Sequence, residues 1–233
     1  MRASDQFLPR WKVADVDGAV VVIDVIRAFT TAAYAFGAGA AEIFLVGTVD
    51  EALVFKAATP GCVAMGEDRG RRPVGFDLSN SPVVASTADL DGRTIVQRTS
   101  AGTQGVVAAR SATRMWTASL VCASATAAAV NTSGLGVPTY VITGLFPDRP
   151  DDRGDEDVLA ASFIEGVRRG EPVDPTATAD AVRETDHARH LLLLGPEHVH
   201  PDDIDYCVRV DHFDFAMEVE RTARGLRMVR RNP

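Results

Sequence analysis

The spacing of apolar and polar positions changes several times along the chain, and each change marks an element. Val20–Val25 is a β-branched run interrupted only by Asp24, the pattern of a strand covered on both faces. The Ala-rich stretch 30–38 predicts a helix, and EIFLV at 42–46 a second strand. TVDEALVFKAA follows, with Thr48 and Glu51 in capping-box spacing, so a helix starts there. CVAMG at 62–66 predicts a third strand. The period then fails. Residues 67–82, EDRGRRPVGFDLSNSP, combine Gly, Pro, charge and small polar groups and read as a long functional loop.

Regular spacing returns after the DGR turn at 91–93. TIVQRT (94–99) predicts a strand, SAGT a tight loop, QGVVAARSA a short helix and RMWTAS (114–119) a strand. SATAAAVNTSG predicts a helix closed by Gly134, and TYVITG (139–144) a sixth strand. LFPDRPDDRGDED reads as an acidic loop. The next segment, 156–170, places apolar residues at 159, 163, 164 and 167, an amphipathic helix ending at Gly170. Residues 176–194 predict one further helix, and the tail after 195 is mixed. The alternation implies an α/β fold, a three-layer α/β/α arrangement with a mostly parallel or mixed sheet. One domain is expected over 1–233, with 195–233 a C-terminal extension packing on it. In such sheets ligands bind beyond the carboxyl ends of the strands.

Composition narrows the function. The 233 residues, 46% hydrophobic and 24% charged, suffice for a sizeable core. The apolar runs near 19–23 and 191–194 are too short to span a bilayer, and MRASDQFLPRWK lacks the apolar core of a secretory signal, so a cytoplasmic protein without a membrane partner is expected. A net charge of −8 argues against nucleic acid as a partner. The basic runs RGRRP (69–73) and RMVRR (227–231) are short, and the second reads as a solvated tail. Cys62, Cys122 and Cys207 form no CxxC and read as buried apolar residues in a reducing compartment. Lysine occurs only at 12 and 56, which marks a GC-rich genome rather than a chemistry.

The unusual residues gather at predicted strand ends. Asp24, Glu67, Asp68, Asp77, Glu156 and Asp157 are carboxylates without accompanying His or Cys, a set that suits a hard cation such as Mg²⁺. TSAGT at 99–103 and Arg27 are candidate anion receivers. Each has a plainer reading: Asp24 as a helix cap, TSAGT as a turn, Glu156 and Asp157 as complements to a helix N-terminus, Arg69, Arg71 and Arg72 as a solvated loop. His198 and His200 with Asp202 and Asp203 have weak metal-ligand spacing, while His187, His190 and His212 read as structural.

Taken in order, VVIDVIRAFTT, GE at 66–67, GFDLSNSP at 75–82, TSAGT and GDEDVLAA at 154–161 resemble the 2-phosphosulfolactate phosphatases. The resemblance runs from about residue 20 to 165 and returns weakly at HPDDIDYCVRVD, 200–211. It implies an α/β/α, Mg²⁺-dependent hydrolase that removes phosphate from a small sulfonated 2-hydroxy acid on the route to coenzyme M. A homo-oligomer is expected. On this reading Asp24, Glu67, Asp77, Glu156 and Asp157 hold the metal, directly or through water. Arg27, Thr99, Ser100, Gly102 and Thr103 hold phosphate, Asn80 and Ser81 orient the substrate, and Arg69 or Arg72 receives the second anionic group. Asp24, Arg27, Asp77 and Asn80 are the expected catalytic set. Attack by metal-bound water is favoured. A phospho-aspartate at Asp24 is the rival, disfavoured because Ile26 stands where aspartate-nucleophile phosphatases carry a second Asp.

Two departures from the family stand out. The family loop usually reads Thr-Thr-Asn-Gly-Thr, and here Ala101 replaces the Asn. After the sixth strand the family is Gly-rich, where this chain has Pro and extra acids. The first leaves a second reading open, a relative without catalysis that binds a small anionic metabolite.

Overall fold

A computed structural model describes residues 6–146 and 149–232, with the side chains of 149–152 left out. In chain order the first elements are β1 (Phe7–Pro9), β2 (Ala19–Ile23), α1 (Ala28–Gly37), β3 (Glu42–Leu45), α2 (Val49–Ala58), β4 (Val63–Gly66) and β5 (Leu78–Ser79). Then come α3 (Pro82–Thr87), β6 (Thr94–Arg98), α4 (Gly102–Ala108), β7 (Arg114–Ala118), α5 (Ala123–Thr132), β8 (Thr139–Ile142), β9 (Leu145–Phe146) and β10 (Arg149–Arg153). The last are α6 (Asp155–Arg169), α7 (Pro175–Arg183), α8 (Asp186–Leu191), α9 (Asp203–Cys207), β11 (Ala216–Thr222) and β12 (Gly225–Arg231).

Ten strands form one mixed sheet in the order β1-β8-β2-β7-β11-β12-β3-β6-β4-β5. β1, β8, β2 and β7 pair in parallel, as do β3, β6, β4 and β5. The two blocks are joined by the antiparallel β11–β12 hairpin, which pairs with β7 on one side and β3 on the other. β2 shows why its sequence is apolar throughout: Val20 and Val22 enter the core beneath α1 and α4, while Ala19, Val21 and Ile23 enter the opposite core with α5, α6, α7 and α8. α2 covers a smaller core of Phe44, Ala64 and Val96. This is the expected three-layer α/β/α arrangement.

The tail differs from expectation. Residues 216–231 do not lie on the domain; they occupy the middle of its sheet. Met217, Val219 and Met228 enter the core, and on the other face Glu220 pairs with Arg227 and Arg231, and Glu218 with Arg114. RMVRR is therefore a core strand, not a solvated tail. Residues 67–82 contain β5 and lead into α3, capped by Ser81. The stretch 176–194 is two helices, because Thr185 caps the second by accepting from Ala188 N–H. The acidic loop forms the β9–β10 hairpin, apart from residues 147 and 148, which lie outside the described residues. Among the described residues no helix is long and apolar enough to cross a membrane.

β2 and β6 are five strand steps apart in this order, which on a flat sheet is ~24 Å at about 4.8 Å per step. Yet Gln97 at the end of β6 donates to the carbonyl of Ala28 at 2.9 Å, just after β2. The sheet is therefore strongly coiled, and coiling brings the ends of distant strands to one place.

Candidate active site

At that place is a cavity of about 1020 Å³. Asp24 and Arg27 reach it from β2, Glu67 from β4, Asn80 from β5, and Ser100 and Ala101 from β6. Thr143 and Gly144 come from β8, Glu156 and Asp157 from the first turn of α6, and His187 from α8. Arg10, Arg69, Arg98 and Arg153 add positive charge to its walls. Of the expected residues, eight line it: Asp24, Arg27, Glu67, Arg69, Asn80, Ser100, Glu156 and Asp157.

Asp68, Asp155 and Asp186 line the cavity from exposed positions; the four expected acids are all buried but differ in what they accept. Asp157 takes Val25 N–H on Oδ1 at 2.9 Å, and Thr143 and Gly144 N–H on Oδ2 at 3.1 and 2.8 Å. It clamps the ends of β2 and β8 to α6. Gly144 permits this approach, since a Cβ there would lie 2.9 Å from Gly154 Cα. Glu67 accepts Ser100 N–H on Oε1, and Ser100 Oγ and Gly70 N–H on Oε2 at 3.0 and 2.6 Å. It fastens the 99–103 loop to the loop after β4. Among the described residues Asp24 accepts one backbone donor, Ala28 N–H on Oδ1 at 2.9 Å, and a long hydrogen bond of 3.4 Å from Thr143 Oγ1 on Oδ2. Glu156 is joined through Oε1 to His187 Nδ1 at 2.5 Å.

Burial, reinforced by the charges of Glu67 and Glu156, pushes the Asp24 carboxyl up to about 6. Burial and the neighbouring Glu156 and Asp24 raise Asp157 as well, against its hydrogen bonds. Burial opposes charge on His187, but the bond to Glu156 and the surrounding acids prevail and push it up to about 9. His187 reads as structural in sequence because its partner is 31 residues away. The available signal was Thr185, a helix cap two residues before it.

The 99–103 loop is shaped by its hydroxyls. Thr99 N–H donates to Thr103 Oγ1 and Thr103 N–H to Thr99 Oγ1, at 2.9 and 3.1 Å, so both threonines are spent on the start of α4. Ser100 Oγ also accepts Arg69 N–H at 2.8 Å. Gly102 lies against Asp24: a Cβ there would meet Asp24 Oδ2 at 2.8 Å and the Ala28 methyl at 2.9 Å, so only glycine lets loop and carboxylate touch. Ala101 lines the cavity at the position of the family Asn.

Six expected residues are not in the lining: Thr99, Gly102 and Thr103 lie behind it in the loop just described, and Asp77, Arg72 and Ser81 lie elsewhere. Asp77 is bound by Lys56 Nζ at 2.7 Å and Ala64 N–H at 2.8 Å, with its side chain 42% exposed. Arg72 donates to the Asp77 carbonyl. Ser81 is buried and donates to Asp203 Oδ1 at 2.5 Å. Asp203 also holds Arg27, whose Nη1 lies 2.8 Å from its Oδ2, and His198 contributes its carbonyl to Arg27 rather than its ring. Among the described residues, no group of three or more His, Cys, Asp or Glu is arranged to hold a metal ion.

Comparison with known proteins bears on this site. The family model described as 2-phosphosulpholactate phosphatase matches residues 7–222. Proteins named "Probable 2-phosphosulfolactate phosphatase" are similar along most of the chain. The one from Bacillus subtilis is 33% identical over 202 residues, 86% of each chain. Those from Deinococcus radiodurans and Thermoplasma acidophilum are 32% and 30% identical, over 90% of both chains and over 85% and 84% respectively. The motifs that match this family are scattered from residue 21 to residue 161, and coiling of the sheet gathers them around one cavity; the chain belongs to the 2-phosphosulfolactate phosphatase family.

Proposed function

We propose that this protein is a Mg²⁺-dependent phosphatase that hydrolyses the phosphate monoester of a small anionic 2-hydroxy acid of the 2-phosphosulfolactate type. Family membership supports the reaction class. The observation that carries the reading is Asp24: a buried carboxylate with one oxygen turned to the 99–103 loop, inside a cavity edged by arginines.

The donor set fits Mg²⁺ in a restricted way. Glu67 and Asp157 have donors on both oxygens, and Asp77 is outside the cavity. This leaves Asp24 Oδ2 and the second oxygen of Glu156 to hold the ion, with water and substrate completing its shell, a mode common for Mg²⁺. The raised Asp24 carboxyl supports this, since a cation relieves the excess buried negative charge. When bound, Mg²⁺ supplies Lewis-acid charge to the phosphoryl oxygens.

The protein's own groups do the rest. Arg27, Asn80 and the Ala101 and Gly102 N–H groups hold the phosphate. Arg69, exposed at the rim, receives the carboxylate or sulfonate in place of the distant Arg72. His187, kept charged by Glu156, gives a proton from Nε2 to the leaving oxygen. Three buried free cysteines suit a reducing cytoplasm.

The deciding experiment is phosphate release from 2-phosphosulfolactate, 2-phospholactate and 2-phosphoglycerate, with Mg²⁺ and with EDTA. Release that requires Mg²⁺ is expected, and the preferred ester reports what the Ala101 wall admits. No release by the folded protein from any of them overturns the proposal and favours the anion-binding relative.

A further inference from the structure

We infer that Asp203 is a positioning residue for the anion site, holding Arg27 and the Asn80–Ser81 turn in register with each other. The inference rests on the function proposed above. Asp203 is fully buried, and both its oxygens are engaged. Oδ2 accepts Arg27 Nη1 at 2.8 Å and His200 N–H at 3.1 Å, and Oδ1 accepts Ser81 Oγ at 2.5 Å. With no oxygen left over and, among the described residues, no other acid bonded to it, it is poorly placed to be the metal ligand its HxH neighbourhood suggests.

What it does is join three segments far apart in sequence. Arg27 follows β2, Ser81 caps α3, and Asp203 opens α9. The guanidinium has five N–H donors in one plane. Its Nη1 is fixed by Asp203 and by the His198 carbonyl at 3.1 Å, and among the described residues no acceptor is placed on Nε or Nη2. Fixing one corner fixes the plane, and Arg27 lines the cavity. The same carboxylate fixes Ser81, and beside it Asn80 Oδ1 is buried with no partner among the described residues, also at the cavity. A buried ion pair adds little stability over an apolar pair of the same shape. An apolar pair, however, cannot aim a guanidinium. Aiming is therefore the better explanation for a carboxylate at this position.

The test compares wild type with Asp203→Asn, Asp203→Glu and Ser81→Ala by steady-state phosphate release with Mg²⁺, by calorimetric binding of inorganic phosphate, and by thermal unfolding. Asp203→Asn is expected to raise KM about tenfold to a hundredfold with kcat changed much less, and to weaken phosphate binding in proportion. Asp203→Glu should recover part of both. Ser81→Ala, which keeps the ion pair, should shift KM a few-fold and covers the case in which Asp203→Asn does not fold. Unchanged KM and unchanged phosphate affinity in folded variants overturn the inference, as does a fall in kcat alone. The calorimetry needs no turnover. If wild type releases no phosphate from any ester, the functional proposal fails, and the phosphate affinity of Asp203→Asn against wild type still decides the role of Asp203.

Discussion

Glu67 and Asp24 both sit at strand ends, both are buried, and both face the same cavity, yet they are used in opposite ways. Glu67 receives three donors, two of them backbone N–H groups, and in return fixes the loops after β4 and β6. Asp24 receives one backbone donor and keeps an oxygen turned toward Gly102. Burial is thus no guide to chemistry here. The number of donors is: the fully bonded Glu67 builds the site, and Asp24, with a single backbone donor, keeps an oxygen for a cation or a proton.

Substitution can break this contrast. Asp24→Asn should reduce phosphate release by roughly 10³-fold or more while raising the melting temperature. The sign follows from the shift. The folded-state value, about 6, lies above the ordinary 3.8, so Asp24 costs stability, the cost setting in above 3.8 and being complete above about 6. Removing the charge should return about 1–3 kcal/mol at neutral pH. A variant that keeps full turnover refutes the assignment of Asp24.

His187→Asn should lower the rate by roughly 10²-fold and change the pH profile. In wild type, activity should rise through about 6 as Asp24 ionises and fall through about 9 as His187 loses its proton. Added Mg²⁺ should move the acid limb lower, and the variant should lack the alkaline limb. The raised His187 also contributes stability below 6.5 that is lost as pH climbs through about 9, visible as a falling melting temperature.

Glu67→Gln sharpens the contrast from the other side. One amide oxygen cannot serve donors on both sides of the carboxylate, so about 1–3 kcal/mol of stability should be lost, with kcat/KM falling about tenfold through the displaced loop. Asp77→Asn should do least. Its charged partner, Lys56, is only half-buried, and an amide oxygen can still accept Ala64 N–H, so denaturant unfolding should shift by less than about 1 kcal/mol, and turnover should stay within about twofold. Loss of Mg²⁺ dependence in that variant would show that the cavity is not the metal site.

Much of this was legible in sequence where one segment carries its own explanation. Val20–Ile23 announces a doubly covered strand, Thr48 and Glu51 announce a helix start, and the capping box is present. The carboxylates at strand ends were visible, because an acid at the end of an apolar run has few other uses. What stayed hidden depends on partners distant in the chain. β11 and β12 alternate Met and Val with Glu and Arg, and only cross-strand pairing, such as Glu220 with Arg227, turns that alternation from a solvated tail into a sheet. Asp77 looked like a ligand until Lys56 was seen to occupy it. Asp203 looked like part of a histidine cluster until the coiling of the sheet brought Arg27 to it.

The place of the β11–β12 hairpin carries a consequence for synthesis. Thr117 must wait for Met217, and Leu45 for Leu226, before either block of the sheet gains its inner neighbour. Both blocks leave the ribosome early, each with an unpaired edge strand at β7 or β3. They stay open to mispairing until residues 216–231 emerge to join them. Shortening the chain within this hairpin should therefore yield two sticky half-sheets rather than a weakened enzyme.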